Sequence, residues 1–184
     1  MERTFSNPVT GDTATLIEMS KETSGVRSVA EIEVKPGGGV PMHQHADHDE
    51  LIEVATGEVE VIMNGKTRRL GAGERIFIER GVTHLWRNPS PDRGLTMRAT
   101  MTPGHPDFER FLRVYYGLGR DGELGKNKMP KRFSDLALLA ELDPSIFIGL
   151  KRLLRPLMRW VAKRARTRGR EAELLRRYVP DDVR

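Results

Sequence analysis

Between Thr13 and Thr102 apolar and polar residues alternate in short runs, and turn-forming residues separate the runs. A period of two marks extended backbone, because successive side chains of a strand point to opposite faces. The pattern predicts strands over Thr13 to Met19, Val26 to Val34, Leu51 to Ala55, Glu58 to Met63, Lys66 to Leu70, Arg75 to Glu79, His84 to Arg87 and Leu95 to Thr102. Asn64-Gly65 lies between two of these runs and signals a two-residue hairpin. Many short antiparallel strands with few tolerable open edges predict a mainly β fold, closed or built of two sheets. The chain has no internal repeat, so one barrel is expected.

After Thr102 the period lengthens to about 3.6, the signature of helix. Pro106 suits a first helical turn, and Phe108, Phe111, Leu112 and Tyr115 fall on one face of a helix running to about Tyr116, which Gly117 and Gly119 are expected to end. Residues 117–131 are rich in glycine and charge and are long for an idle connection, which predicts a mobile flap or a disordered segment. Ser134 caps a short helix through Leu142, Asp143-Pro144 opens the next, and a last helix spans about Arg170 to Tyr178. The stretch 146–164 is two-faced. Ile146, Leu150, Leu153, Leu154, Leu157 and Val161 form one side, Lys151, Arg152, Arg155, Arg159 and Lys163 the other, and Pro156 should kink or restart the helix after Leu154. These readings divide the chain into a β domain, 1–104, and a helical extension, 105–184.

Charge separates the two parts further. Residues 1–105 hold 12 Lys and Arg against 15 Asp and Glu, while residues 143–184 hold 12 against 5, so the balance runs from −3 to +7. The basic character belongs to the extension. Docking of 146–164 on the barrel or on a partner subunit is one expectation, and peripheral contact with an anionic membrane is another, because an apolar face can insert while arginines stay with headgroups. The apolar face argues against nucleic acid as the partner. No stretch approaches the roughly twenty apolar residues that cross a bilayer, so a soluble protein is expected. With no cysteine in the chain, a bound metal must rest on nitrogen and oxygen.

Such donors are grouped. His43 and His45 are two apart and share a face of an extended strand, and His84 arrives from a later one. Glu50 adds a carboxylate, although its odd separation from His45 requires a turn or bulge across Ala46 to Asp49. Three imidazoles and a carboxylate suit a divalent transition ion (Fe, Mn, Ni or Zn) and leave coordination positions open. His48 is expected to be solvated or to support the site without being a ligand, and His105 to lie on the surface.

The spacing Gly37, five residues, His43, one residue, His45, four residues, Glu50, six residues, Gly57 resembles the first motif of the cupins. Gly73, seven residues, Gly81, two residues, His84, three residues, Asn88 resembles the second, with Glu79 where that motif usually has proline. The resemblance covers roughly residues 10–104 and implies a double-stranded β-helix, or jelly-roll barrel, followed here by the α-helical extension. It also implies metal chemistry of a dioxygenase, or of an isomerase or cyclase, on a small molecule, with Glu50 able to double as a base. The alternative is a ligand-binding or sensing barrel without turnover. The extension is similar to that of some bacterial single-domain cupins, which implies a cytoplasmic protein, and cupin barrels commonly pair as homodimers. Strand parity places Ile52 and Val54 with Glu50, Trp86 and Asn88 with His84, and Leu95, Met97, Ala99 and Met101 on the last strand, all facing inward. Of these Trp86, Asn88, Ile52, Met97 and Met101 are the candidate substrate pocket, suited to a partly apolar ligand.

Overall fold

A computed structural model describes residues 3–143 and 153–180. Within them the chain forms β1 (Thr4–Asn7), β2 (Asp12–Glu18), β3 (Ser28–Val34), β4 (Asp49–Thr56), β5 (Glu58–Met63), β6 (Lys66–Gly71), β7 (Arg75–Ile78), β8 (His84–Arg87) and β9 (Leu95–Thr102). The helices α1 (Pro106–Arg120), α2 (Phe133–Leu142), α3 (Arg155–Thr167) and α4 (Arg170–Tyr178) follow. The β strands make a six-stranded sheet in the order β1-β2-β3-β9-β4-β7 and a three-stranded sheet in the order β6-β5-β8, with antiparallel pairing throughout. This is the two-sheet β fold that the alternation predicts, and the jelly-roll barrel with a helical extension that the resemblance implies.

Parity decides what the barrel encloses. Along β9 Leu95, Met97, Ala99 and Met101 are buried, and along β4 Glu50, Ile52 and Val54 are buried. With Leu16, Val59, Val61 and Ile78 they form one continuous apolar core between the sheets. The β4–β5 reversal depends on Gly57, whose φ of +81° lies in the left-handed region and whose added Cβ would stand 2.5 Å from the Gly94 carbonyl oxygen. Strand β1 escapes the sequence pattern because it is four residues long and largely polar. It is held by its register on β2, where hydroxyls of Thr4 and Thr15 and of Ser6 and Thr13 pair at 3.0 and 2.9 Å.

Helix α1 does not end at Gly117. It continues to Arg120, because the two glycines serve as points of close approach: a Cβ at Gly117 would lie 2.2 Å from the Tyr178 ring, and one at Gly119 2.3 Å from Asn7 Oδ1. The same helix is fastened to the barrel by buried Glu109, which accepts from Ser20 N at 2.6 Å and Ser28 Oγ at 2.5 Å. His105 is half-buried, not fully on the surface. Its Nδ1 accepts from Phe108 N at 3.0 Å, so it caps the orphan amides of α1. After α1 the chain turns back on itself, with Leu124 bridged to Pro130 and Lys131 N donating to Glu123 O at 2.9 Å.

A second apolar cluster joins the helices, built from Val114, Leu118, Leu138, Leu139, Met158, Ala162 and Leu174 among others. Buried Asp135 on α2 receives a two-pronged bond from Arg170 on α4, at 2.8 and 2.7 Å. The face that α3 buries differs from the expected one. Met158, Ala162 and Ala165 pack inward, where small side chains let α3 come close to α2, whereas Leu153, Leu154, Leu157 and Trp160 are exposed. Pro156 sits in the first turn of α3, which restarts there. The expected helix opening at Pro144, and Ile146, Leu150, Lys151 and Arg152, lie outside the described residues.

Candidate metal centre and its cavity

The backbone brings the histidines together. His43 and His84 form a two-way antiparallel bridge, each amide donating to the other's carbonyl at 2.8 Å. Directly opposed residues of an antiparallel pair project to the same face, so their rings meet with centroids 4.2 Å apart. His45, two residues on, joins them at 4.9 Å from His43 and 5.3 Å from His84, and its carbonyl accepts from Gly81 N at 2.6 Å. Residues 46–48 then make the required turn. Asp49, clamped by Arg80 at 2.8 to 3.1 Å, starts β4 and leaves Glu50 pointing inward.

One donor atom from each of His43, His45, Glu50 and His84 lies within 4.8 Å of the others. Glu50 Oε2 stands 3.1 Å from His84 Nε2 and 3.6 Å from His45 Nε2. The Nδ1 atoms of His43 and His84 point away and donate to the carbonyls of Pro41 and Val82, at 2.9 and 3.0 Å. In a neutral ring this fixes the tautomer and leaves Nε2 with its lone pair turned to the cluster. Donors about 2.0 to 2.2 Å from one transition ion must stand within roughly 4 Å of one another, so these four, all within 4.8 Å, would need only a small closure to hold one. The donor set therefore fits such a group.

At His43 and Glu50 electrostatics favour the form a cation needs, and at His84 they oppose it. Desolvation holds His43 well below the ordinary imidazole value, helped by the neighbouring His84 and His45. Burial would raise the Glu50 carboxyl, but His45 and His84 outweigh it and keep it well below the usual carboxylate range. Burial works against a proton on His84 too, yet Glu50 overcomes it and raises that ring.

His43, His45 and Glu50 lie on the wall of a cavity of about 110 Å³, while His84 is fully buried and does not line it. Its barrel side carries Ala14, Ala30, Ile32, Trp86, Ala99 and Met101, and its opposite side is the helical extension: Phe108, Phe111, Leu112, Tyr115 and Tyr116 of α1, then Lys128, Met129 and Asp143. Phe108, Phe111 and Tyr115 form a row of near-parallel rings, with interplanar angles of 16° and 5°. Of the five expected pocket residues, Trp86 and Met101 line the cavity and three do not. Ile52 and Met97 are fully buried deeper in the barrel core. Asn88 is spent on a turn: its amide nitrogen donates to the carbonyls of Val34, Lys35 and Arg93, and its oxygen accepts from Ser90 N. Parity identifies an inward side chain but not how far along the barrel the open space reaches.

His48 takes the supporting place of its two expected ones, and further residues of the site come from parts of the chain that the sequence does not connect with it. His48 is not solvated: it is 2% exposed, stacks on His45 at 4.3 Å, touches Phe108, and has neither ring nitrogen hydrogen-bonded. Burial pulls its pKa down to about 3, so it is neutral. Lys128 sits at φ +62°, its carbonyl accepts from Tyr115 Oη at 2.8 Å, and its Nζ donates to Gly39 O at 2.7 Å across the cavity rim. Tyr116 donates to buried Asp12, whose carboxyl is raised by burial. The spacing of Phe108, Phe111 and Tyr115 was the available signal for this wall. Nothing in the sequence flags Lys128 or Asp143.

A two-sheet barrel with three imidazoles and one carboxylate gathered beside an apolar cavity defines a jelly-roll barrel with a candidate metal site. The comparisons agree: the Cupin domain model matches residues 30–97, and the chain belongs to the cupin superfamily. It is similar to the tetracenomycin polyketide synthase protein TcmJ of Streptomyces glaucescens, 30% identical over 105 residues that cover 54% of this chain and 70% of that protein. The mannose-1-phosphate guanylyltransferase ManC of Salmonella typhimurium is 39% identical over 61 residues, 33% of this chain, and the match spans only 13% of the relative's length. Among solved structures an RmlC-like cupin from Shewanella frigidimarina covers 56% of this chain and 86% of its own, at 22% identity and a TM-score of 0.49.

Proposed function

We propose that this chain is a metal-dependent enzyme acting on a small, flat, oxygen-bearing aromatic molecule, of the isomerase or cyclase kind or of the dioxygenase kind. The observation that carries the reading is the position of the donor cluster at the wall of a cavity whose other wall is a row of aromatic rings. His43, His45, Glu50 and His84 would hold one divalent ion. A bound ion would polarise a carbonyl or phenolate oxygen as a Lewis acid or, if redox-active, activate dioxygen. The chain's own residues supply the rest. Phe108, Phe111 and Tyr115 offer a face for a planar ring, Trp86 and Met101 close the barrel side, and the apolar lining excludes water. Glu50 faces the cavity, so when released from the ion it would be placed to take a proton from a carbon or hydroxyl beside the polarised oxygen. The likeness to a polyketide synthase protein supports a small-molecule substrate.

The test is to load the purified protein separately with Fe(II), Zn(II) and Ni(II) and incubate each form with a panel of flat phenols and aromatic 1,3-diketones, reading oxygen uptake and product mass. Uptake with iron alone assigns oxygenation, and a product of unchanged mass, or one lighter by water, assigns isomerisation or cyclisation. Saturable binding with no product in any form assigns a ligand-binding barrel and overturns the enzyme reading.

A second reading concerns the outer face of α3, where Leu153, Leu154, Leu157 and Trp160 are exposed and Arg155, Arg159, Lys163, Arg164 and Arg166 stand beside them with no acid in the helix. We propose that this face rests on an anionic lipid surface, since exposed apolar side chains ringed by cations match headgroups above acyl chains. No described helix is long and apolar enough to cross a membrane. Co-sedimentation with phosphatidylglycerol vesicles, but not phosphatidylcholine vesicles, is expected, and Leu157→Glu with Trp160→Glu abolishes it. Equal behaviour of the two proteins contradicts the proposal, as does a dimer in solution that the double variant splits without any vesicle binding.

A further inference from the structure

Two of the three clustered imidazoles are aimed by the barrel itself, and the third is not. His43 and His84 each donate from Nδ1 to the carbonyl two residues before them, Pro41 and Val82. For His45 the corresponding carbonyl belongs to His43 and is already taken by His84 N, as part of the bridge that brings those two strands together. Its Nδ1 is left buried with no hydrogen-bond partner, while its Nε2 faces Glu50. The polar group that Nδ1 does face comes from the far end of the chain: Asp143 Oδ2, on the buried residue that closes α2, stands 3.9 Å away.

We infer that Asp143 is the positioning residue for His45, so that the helical extension supplies part of the metal centre. The inference rests on the reading of the four donors as metal ligands. The present separation is longer than a hydrogen bond, and a closure of about 1 Å, or one bridging water, completes it. A carboxylate on Nδ1–H fixes the ring's tautomer, presents the Nε2 lone pair to the ion and strengthens the nitrogen as a donor. Ring packing does the rest of the aiming: His48 stacks on one side of His45 and Phe108 meets it edge-on at 5.4 Å. Because Asp143 also lines the cavity, a ligand in the cavity and the third imidazole share one neighbour, and the extension joins pocket and metal centre in a single unit.

The test titrates the metal-free, full-length protein with Zn(II) against a chromophoric chelator, and records the visible spectrum of the Co(II) form. Wild type is expected to take up one ion, Asp143→Asn and Asp143→Ala to bind it about 10- to 100-fold more weakly, and Asp143→Glu to recover part of the loss. The Co(II) absorption bands shift in Asp143→Asn, an effect that a merely structural role for Asp143 would not produce. One ion bound equally well by wild type and both weakened candidates, with unchanged Co(II) bands, overturns the role of Asp143 and leaves the metal centre standing. No ion bound by wild type removes the metal centre, and this inference with it. Melting curves of the metal-free variants separate a folding defect from a binding defect, and Asp143→Asn, which keeps the side chain's shape, is the variant that decides if Asp143→Ala misfolds.

Discussion

The two walls of the cavity are made by different physics. The barrel wall is set by strand register: once His43 and His84 are paired and β4 starts at Asp49, the positions of His45 and Glu50 follow from parity and one turn. The helical wall is set by docking. Phe108, Phe111 and Tyr115 face the cavity only because Glu109, Tyr116 and two glycines seat α1 on the barrel and on α4. A register is hard to shift, since a slip of one residue turns every inward side chain outward. A docked helix can be loosened by breaking a few contacts. On the proposed function, chemistry falls to the rigid wall and the fit of a ligand to the adjustable one.

The largest expected effects belong to the barrel wall. Replacing His84 or His45 by alanine should lower metal content at least 100-fold while circular dichroism and the pairing of the strands are retained, because neither side chain takes part in the ladder. Full metal occupancy in both variants would erase the distinction between the walls. Next comes the anchor of the helical wall. Asp135→Ala leaves the largely buried Arg170 guanidinium without its two-pronged partner and should cost about 3 kcal/mol. Chemical denaturation monitors the loss, and the metal affinity of the folded protein should fall far less than in the histidine variants.

A smaller effect is expected at Gly117→Ala, where the new methyl must displace the Tyr178 ring; overpacking of this kind costs about 1 to 3 kcal/mol. Ligand affinity should weaken more than zinc affinity, and an equal fall in both would show that the walls are not separable. The smallest effect concerns pH. Hydrogen bonds from Arg80 lower Asp49 from its usual value to about 2. A depressed carboxyl stabilises the fold above its unfolded pKa of about 3.8, and that contribution fades as pH falls from about 4 to about 2. The pair is exposed, so the change is small. Asp49→Asn should flatten stability across this window and leave it unaltered at pH 7 relative to any constant offset; an unchanged slope below pH 4 contradicts the linkage.

The contrast also explains what the sequence discloses. Alternation reveals the strands of the barrel, and the motif spacing brings together His43, His45, Glu50 and His84, because both depend on positions close in the chain or on a repeated period. The depth of the cavity does not follow from parity, so Ile52, Met97 and Asn88 are inward yet away from the open space. Glycines at 117 and 119 suggest a helix end when read locally, whereas their cause is non-local: Tyr178 and Asn7 need the room. The buried face of α3 is chosen by Met158 and small side chains fitting α2; of the expected apolar stripe Val161 packs against the helical cluster, while Leu153, Leu154 and Leu157 stay outside. Asp143 is invisible for the same reason. Its partner His45 lies 98 positions earlier, and neither residue's surroundings in the sequence point to the other.

Anomalous diffraction at the zinc edge, from crystals of the full-length protein grown with zinc, tests the central claim most directly. One strong peak is predicted about 2.0 to 2.2 Å from His43 Nε2, His45 Nε2, His84 Nε2 and a Glu50 carboxylate oxygen, facing the aromatic row of α1. Zinc found only at surface residues, with the four donors still bonded to one another, would contradict the account.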